Sequence, residues 1–317
     1  MNFEPLDDAL FRLAAALGTD TLFLNPLIAV VLLGVTCGSI GSTVVGNRMA
    51  FFSDAMAHTA FAGVALAVLS VIFFAGIRST RGADPYLWVV LPVMIGTGTV
   101  VGVLMTAARE RTGLTNDTVI GVFFAAAVGL ASMVLPEVRK VVNIDPEQFL
   151  FGSILFARAE DLVLLAGLCV VTVGLVAWRY NAWAMAAINP SLAKSRGIAV
   201  RFDTYLFAVL LALVVNVALR SVGILLINAL LVVPAAAAAN VARNTREVFA
   251  FTLLGTVAAC VLGLWLSQHV TLPIGPAPGL GLTPAGTIVV LCVLGFVGTM
   301  AAGTLRPRRT PVAPGPR

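Results

Sequence analysis

Runs of about 20 residues with almost no charge recur along this chain, and a run of that length crosses a ~30 Å hydrocarbon core as one α-helix. They fall at approximately 24–44, 49–76, 86–108, 116–135, 160–179, 203–219, 222–240, 247–267 and 284–303. The fold class this dictates is all-α, a polytopic membrane protein with about nine transmembrane helices. The sixth and seventh runs are the least clearly divided, because only Arg220 and Gly223 interrupt them. Composition agrees: 59% of the 317 residues are apolar and 11% charged, against roughly 25% charged in soluble chains. A water-soluble enzyme is excluded.

Cys37, Cys169, Cys260 and Cys292 each sit singly inside an apolar run. Without close Cys or His spacing they support neither a disulfide framework nor a zinc finger, and they read as packing residues. Residues 1–20 carry Glu4, Asp7, Asp8 and Asp20 against Arg12, so no cleaved signal with a basic start is visible. The net charge of +5 comes from residues between and after the apolar runs, which is a matter of membrane topology and not of nucleic acid. With loops placed alternately, Arg48, Arg109, Arg111, Arg179, Lys194, Arg196, Arg201, Arg243, Arg246, Arg306, Arg308, Arg309 and Arg317 fall on one side. Arg12, Arg78, Arg81, Arg139, Lys140, Arg158 and Arg220 fall on the other. Cytoplasmic loops hold the excess, so the first set is expected inside, with the N-terminus outside and the C-terminus in the cytoplasm.

Three units follow: an extracytoplasmic amphipathic segment over 1–22, a transmembrane domain over 23–304 with a cytoplasmic segment at 181–202, and a basic cytoplasmic tail at 305–317. In the first, Leu6, Leu10, Leu13 and Leu17 have the spacing of a helix lying in the membrane interface. The polar stretch 136–159 is expected to form an external loop closing with a short dipping helix at Phe149-Leu150-Phe151-Gly152. Asn189 as N-cap, Pro190 at the first position and Gly197 after the last predict a two-turn helix over Pro190, Ser191, Leu192, Ala193, Lys194, Ser195 and Arg196. Gly34 with Gly38, and Gly98 with Gly102, are spaced for close helix approach. The prolines and glycines of Pro273 to Gly281 are expected neither to extend a helix nor to complete a strand ladder.

Of the fifteen acidic residues, Asp54 is the one inside an apolar run, where an ionisable group is expensive and marks function. His58 follows at i+4, on the same helix face, with about 5–6 Å between Cβ atoms. A carboxylate and an imidazole so placed can share one divalent cation, or can hydrogen-bond each other to neutralise a buried charge. Asn216, Asn228, Ser132 and Thr97 are further polar residues within spans, each able to bond across a helix interface or to be satisfied in packing, with Asn228 kept as a weak candidate ligand. His269, at the end of the eighth run, suits either metal handling at an entrance or a plain interfacial position. No H-E-x-x-H, G-x-S-x-G or G-x-x-x-x-G-K-[ST] motif occurs, so ATP, if used, is bound by another subunit.

Ser53-Asp54-Ala55-Met56-Ala57-His58 leading to Gly63-Val64-Ala65, Phe149-Leu150-Phe151-Gly152-Ser153-Ile154-Leu155, Gly197-Ile198-Ala199-Val200, and Arg220-Ser221-Val222-Gly223-Ile224-Leu225-Leu226 through Pro234-Ala235-Ala236 stand in one order. Together, over roughly 25–303, they resemble the membrane permeases of bacterial metal-ion ABC importers, which move manganese, zinc or iron. The resemblance implies a type II importer permease that is not itself an enzyme and has no cofactor of its own. It implies a second permease copy, cytoplasmic ATP-binding subunits, an extracytoplasmic metal-binding protein, and a place in the lipid of the bacterial cytoplasmic membrane. Asp54 and His58 fall on that family's metal-coordinating pair, and Pro190 to Gly197 on its coupling helix. Two departures stand out: Pro190-Ser191-Leu192 lacks an acidic residue often found there, and the turn after the eighth span is lengthened. Competing readings are an ABC permease for a metal chelate of siderophore or cobalamin type, and an intramembrane haem protein or enzyme using His58 and His269.

Overall fold

The computed structural model describes residues 21–75, 87–141, 154, 159–272 and 280–304. In chain order these form α1 (Thr21–Gly46), α2 (Ala50–Ala75), α3 (Leu87–Thr112), α4 (Asn116–Val141), α5 (Ala159–Ile188), the short α6 (Pro190–Ser195), α7 (Val200–Val222), α8 (Ile224–Val241), α9 (Thr245–His269), β1 (Thr271–Leu272), β2 (Leu280–Gly281) and α10 (Pro284–Thr304). Among the described residues, nine helices are long and apolar enough to cross a membrane, as the apolar runs predict. In hydrocarbon every backbone N–H and C=O must bond within its own segment, which leaves the helix as the solution for each run. Pro26, Pro92, Pro136 and Pro234 lie inside helices, each removing one donor, a loss that bundled membrane helices tolerate.

Helices α1, α2 and α7 are mostly buried and form the interior. α1 packs on α5, α8 and α9, α2 packs on α3, α4 and α7, and α8 packs on α10. Between apolar helices in lipid, association rests on close van der Waals contact, so small residues decide who approaches whom. A Cβ at Gly34 would stand 3.2 Å from Val257 Cα, and one at Gly38 would stand 2.9 Å from Leu253 Cα, so these glycines seat α1 on α9. Gly98 leaves room for the Asn216 amide, and Gly102 lies against Ala208 and Ala212, seating α3 on α7. Both expected glycine pairs are therefore packing elements. Cys37, Cys260 and Cys292 are buried and all four cysteines are free.

The structure moves several boundaries. α4 continues through Leu135-Pro136 to Val141 instead of ending at 135, because one proline removes only one bond from a long helix. α5 runs on to Ile188, well past the expected 179, and the segment joining it to α7 is correspondingly shorter than 181–202. Arg179 does not end the span because its charge is taken up inside the bundle by Asp203. The flanks of the Pro/Gly-rich segment do pair, Thr271 opposite Gly281 and Leu272 opposite Leu280, since this ladder uses residues outside the prolines. The expected interfacial helix in 1–22 lies almost wholly outside the described residues, as do the tail at 305–317 and, apart from buried Ile154, the expected dipping helix.

Only Gly223 separates α7 from α8, at φ 87° and ψ 161°, a conformation open essentially to glycine alone. Ser221, Val222, Ile224, Leu226 and Ile227 around it are buried, so the reversal occurs inside the protein and not in a solvated loop. Gly223→Ala is expected to destabilise the purified protein by about 1–3 kcal/mol, read as a lower thermal unfolding midpoint in detergent. Gly255→Ala, where an added Cβ meets nothing within 4 Å, is expected to leave the midpoint unchanged.

Candidate ion site

The turn Asn47-Arg48-Met49 fixes where α2 begins. Asn47 N–H donates to Thr43 C=O at 2.9 Å, Met49 N–H donates to Val44 C=O at 2.9 Å, and Arg48 adopts φ 56°. One turn into α2, the Ser53 hydroxyl donates to Ala50 C=O at 2.9 Å, and the Thr59 hydroxyl donates to Ala55 C=O at 2.8 Å. Both hydroxyls are thus used within their own helix, which leaves Asp54 and His58 as the polar groups that this stretch presents. Both are partly exposed within a single chain, while Met56 between them is fully buried.

Asp54 is held from across the bundle. Asn228, in the second turn of α8, donates from Nδ2 to Asp54 Oδ1 at 2.7 Å. A carboxylate accepts only, so the amide must face it nitrogen first. Asn228 Oδ1 is then left buried without a hydrogen-bond partner. The His58 ring meets the Phe124 ring of α4 edge to face, with centroids 4.6 Å apart and planes at 74°. Among the described residues Asp54 and His58 do not bond each other; the carboxylate is oriented by Asn228 and the imidazole by Phe124. The bond aims the carboxylate through its Oδ1 atom. Among the described residues no three His, Cys, Asp or Glu side chains cluster as a metal cage, so this pair supplies two donors of different type, an oxygen and a nitrogen.

The other polar candidates separate cleanly. Ser132 bonds Gly129 C=O, Thr97 bonds Val93 and Met94 C=O, and Asn216 bonds Ala212 C=O, all within their own helices. His269, exposed at the end of α9, places Nδ1 2.9 Å from Trp265 C=O and stacks on the Trp265 ring, engaged on its own helix and not joined to His58. Asn228 is the partner that sequence alone does not reveal, since 174 positions separate it from Asp54.

The six-residue α6 forms as its cap residues require. Asn189 Oδ1 accepts from the Ser191 and Leu192 N–H groups, both at 3.1 Å, Pro190 opens the helix, and Gly197 follows at φ 77°. Ala193 is buried, whereas Ser191, Leu192, Lys194, Ser195 and Arg196 are exposed, a face of mixed basic and apolar character. Beside it, α5 and α7 are joined by Arg179 and Asp203, with Arg179 Nε donating to Asp203 Oδ1 at 2.8 Å. No spacing rule in the sequence signals that pair.

The chain matches the family described as the ABC 3 transport family over residues 19–301. It is similar to the manganese import system permease protein ScaB of Streptococcus parasanguinis, 27% identical over 252 residues that cover 79% of this chain and 83% of that protein. It is 29% identical to the manganese transport system membrane protein MntC of Listeria innocua over 253 residues, 79% of this chain and 83% of that one. With the high-affinity zinc uptake system membrane protein ZnuB of Haemophilus influenzae it shares 24% identity over 251 residues, 79% of this chain and 90% of that one. Its fold is like that of PsaBC from Streptococcus pneumoniae in complex with Fab, with a TM-score of 0.70 at 24% identity, over 90% of this chain and 93% of that one. An inward-facing metal-chelate type ABC transporter gives a TM-score of 0.62 at 13% identity, over 88% and 85% of the two chains. A multi-helix bundle with this element order, matched over nearly its whole length, makes the chain a member of the ABC 3 transport family.

Proposed function

We propose that this chain is the permease subunit of an ATP-driven importer that carries a bare divalent metal ion, manganese, zinc or iron, across a bacterial cytoplasmic membrane. Its family and the manganese and zinc transport named for its relatives support the reading. The observation that carries it is the Asp54 carboxylate inside the bundle, aimed by Asn228, with His58 one turn further along the same helix. Carboxylate oxygen and imidazole nitrogen are acceptable ligands to all three metals. Two protein donors per chain, doubled in a homodimer, hold an ion firmly enough to admit it and loosely enough to release it. A chelate presents its metal already wrapped and has less use for a bare Asp/His pair. A haem or enzyme reading needs two cooperating histidines, and among the described residues the contacts of His269 stay on its own helix and do not join it to His58.

In this reading the first 22 residues and the segment 270–283 lie outside the cell, where a metal-binding protein delivers the ion, and residues 305–317 lie in the cytoplasm. Residues Pro190 to Gly197 dock into cytoplasmic ATP-binding subunits, with Lys194 and Arg196 offering charge and Leu192 an apolar contact. The chain itself hydrolyses nothing.

Asp54→Ala and His58→Ala are each expected to abolish metal uptake into proteoliposomes holding the complete transporter, with the protein still expressed and monodisperse. Asn228→Ala keeps both ligands but loses the group that orients one of them, so its half-saturating metal concentration should rise by about 10- to 100-fold. Uptake at the wild-type level in the Asp54 variant overturns the site. On the docking face, Ser191→Cys and Ser195→Cys are expected to cross-link to the ATPase with a yield that changes on adding ATP. Labelling of those cysteines from outside intact cells would reverse the topology.

A further inference from the structure

α6 has six residues, too few to hold its own position. It is tied to the bundle through the end of α5 and the start of α7, so whatever fixes those two helices against each other fixes α6. Arg179 of α5 and Asp203 of α7 do so. Asp203 is 1% exposed and the Arg179 side chain 22% exposed, with the guanidinium also set against the rings of Trp178 and Phe202. One turn further along each helix, Trp183 meets Phe207 edge to face at 5.2 Å. The grip is one-sided: Arg179 Nε and Nη2 both donate to Asp203 Oδ1, while Oδ2 is buried with no hydrogen-bond partner. An Arg and a carboxylate locked as a fork would use both oxygens. A cavity of about 270 Å³, lined by Asp203, Thr204, Glu110, Thr106, Asn47 and Pro190, adjoins this contact and leaves room for displacement.

We propose that the Arg179–Asp203 pair is a pivot that passes displacement of α6 to the ion site, with both residues acting as positioning residues. α7 is one continuous helix from Asp203 to Val222, Gly223 turns it into α8, and five residues on Asn228 holds Asp54. A tilt of α7 about the single oxygen Asp203 Oδ1 therefore displaces the start of α8 and the amide that aims the ion-binding carboxylate. The inference rests on the permease reading, in which α6 is where the ATPase pushes.

The test uses the complete transporter of permease, ATPase and binding protein in proteoliposomes, with manganese as the probe, and reads metal moved per ATP hydrolysed. Asp203→Asn keeps the shape of the side chain and removes its charge. The expected result is ATP hydrolysis within about twofold of wild type and a metal-to-ATP ratio lowered about tenfold or more, the range of an ordinary coupling free energy. The exchanged pair Arg179→Asp with Asp203→Arg should recover most of the ratio, as two residues acting through one contact do. A purely structural role would instead lower hydrolysis, transport and the yield of assembled complex together, leaving the ratio unchanged, and that result overturns the pivot. Should Asp203→Asn fail to assemble, Arg179→Lys serves in its place: it keeps the charge but not the paired Nε and Nη2 donors on Oδ1, and the same lowered ratio is expected. A wild-type ratio in either assembled variant overturns the pivot alone. A wild-type transporter that moves no divalent metal overturns the permease reading and the pivot with it.

Discussion

A carboxylate placed among apolar helices has to be answered by the protein, because the surrounding hydrocarbon offers it nothing. Among the described residues Asp54 is answered by the Asn228 amide across the bundle, and two local features place that contact. α2 must begin at a fixed point, which the tight turn at Asn47 to Met49 supplies. α8 must begin inside the protein, which the glycine-only reversal at Gly223 supplies. The bond engages one carboxylate oxygen, Oδ1. In the proposed reading, a carboxylate engaged through one oxygen inside a membrane bundle is suited to meeting a cation that comes and goes.

The interior is built to bring such elements close. Gly38 and Gly98 remove side chains where a helix backbone or a side-chain amide would otherwise collide, and Gly34 does so where the approach is tight. Hydroxyl groups along the same helices return to carbonyls three or four residues earlier, Thr36 to Leu32, Thr106 to Gly102 and Thr256 to Thr252 among them. The interior thereby carries many polar atoms while few are free to bind anything. Among the described residues several buried polar atoms are left without a partner, and Asn228 Oδ1 and Asp203 Oδ2 are two of them.

The bundle of spans was readable from the sequence because a 20-residue uncharged run has one structural solution in lipid. The Asp54/His58 pairing was readable because it is local, four positions apart on one helix. Asn228 was visible only as a polar residue in a span; its partner lies 174 positions away and no periodicity connects them. The end of α5 was misplaced for the same reason. Arg179 reads as a loop residue until Asp203, 24 positions later, is seen to neutralise it. α6, in contrast, was legible to within one residue at its end, since Asn189, Pro190 and Gly197 carry their cap chemistry in plain view. Pro136 misled in the same sense as Arg179, because a proline ends a helix far less readily inside a long membrane span than in water.

The central claim is that a divalent ion is held by Asp54 and His58, and locating that ion tests it most directly. Crystals of the complete transporter loaded with manganese and measured at the manganese absorption edge should show an anomalous peak about 2.0–2.6 Å from an Asp54 carboxylate oxygen and a His58 ring nitrogen. An ordered manganese ion elsewhere along the bundle, touching neither side chain, would contradict the account.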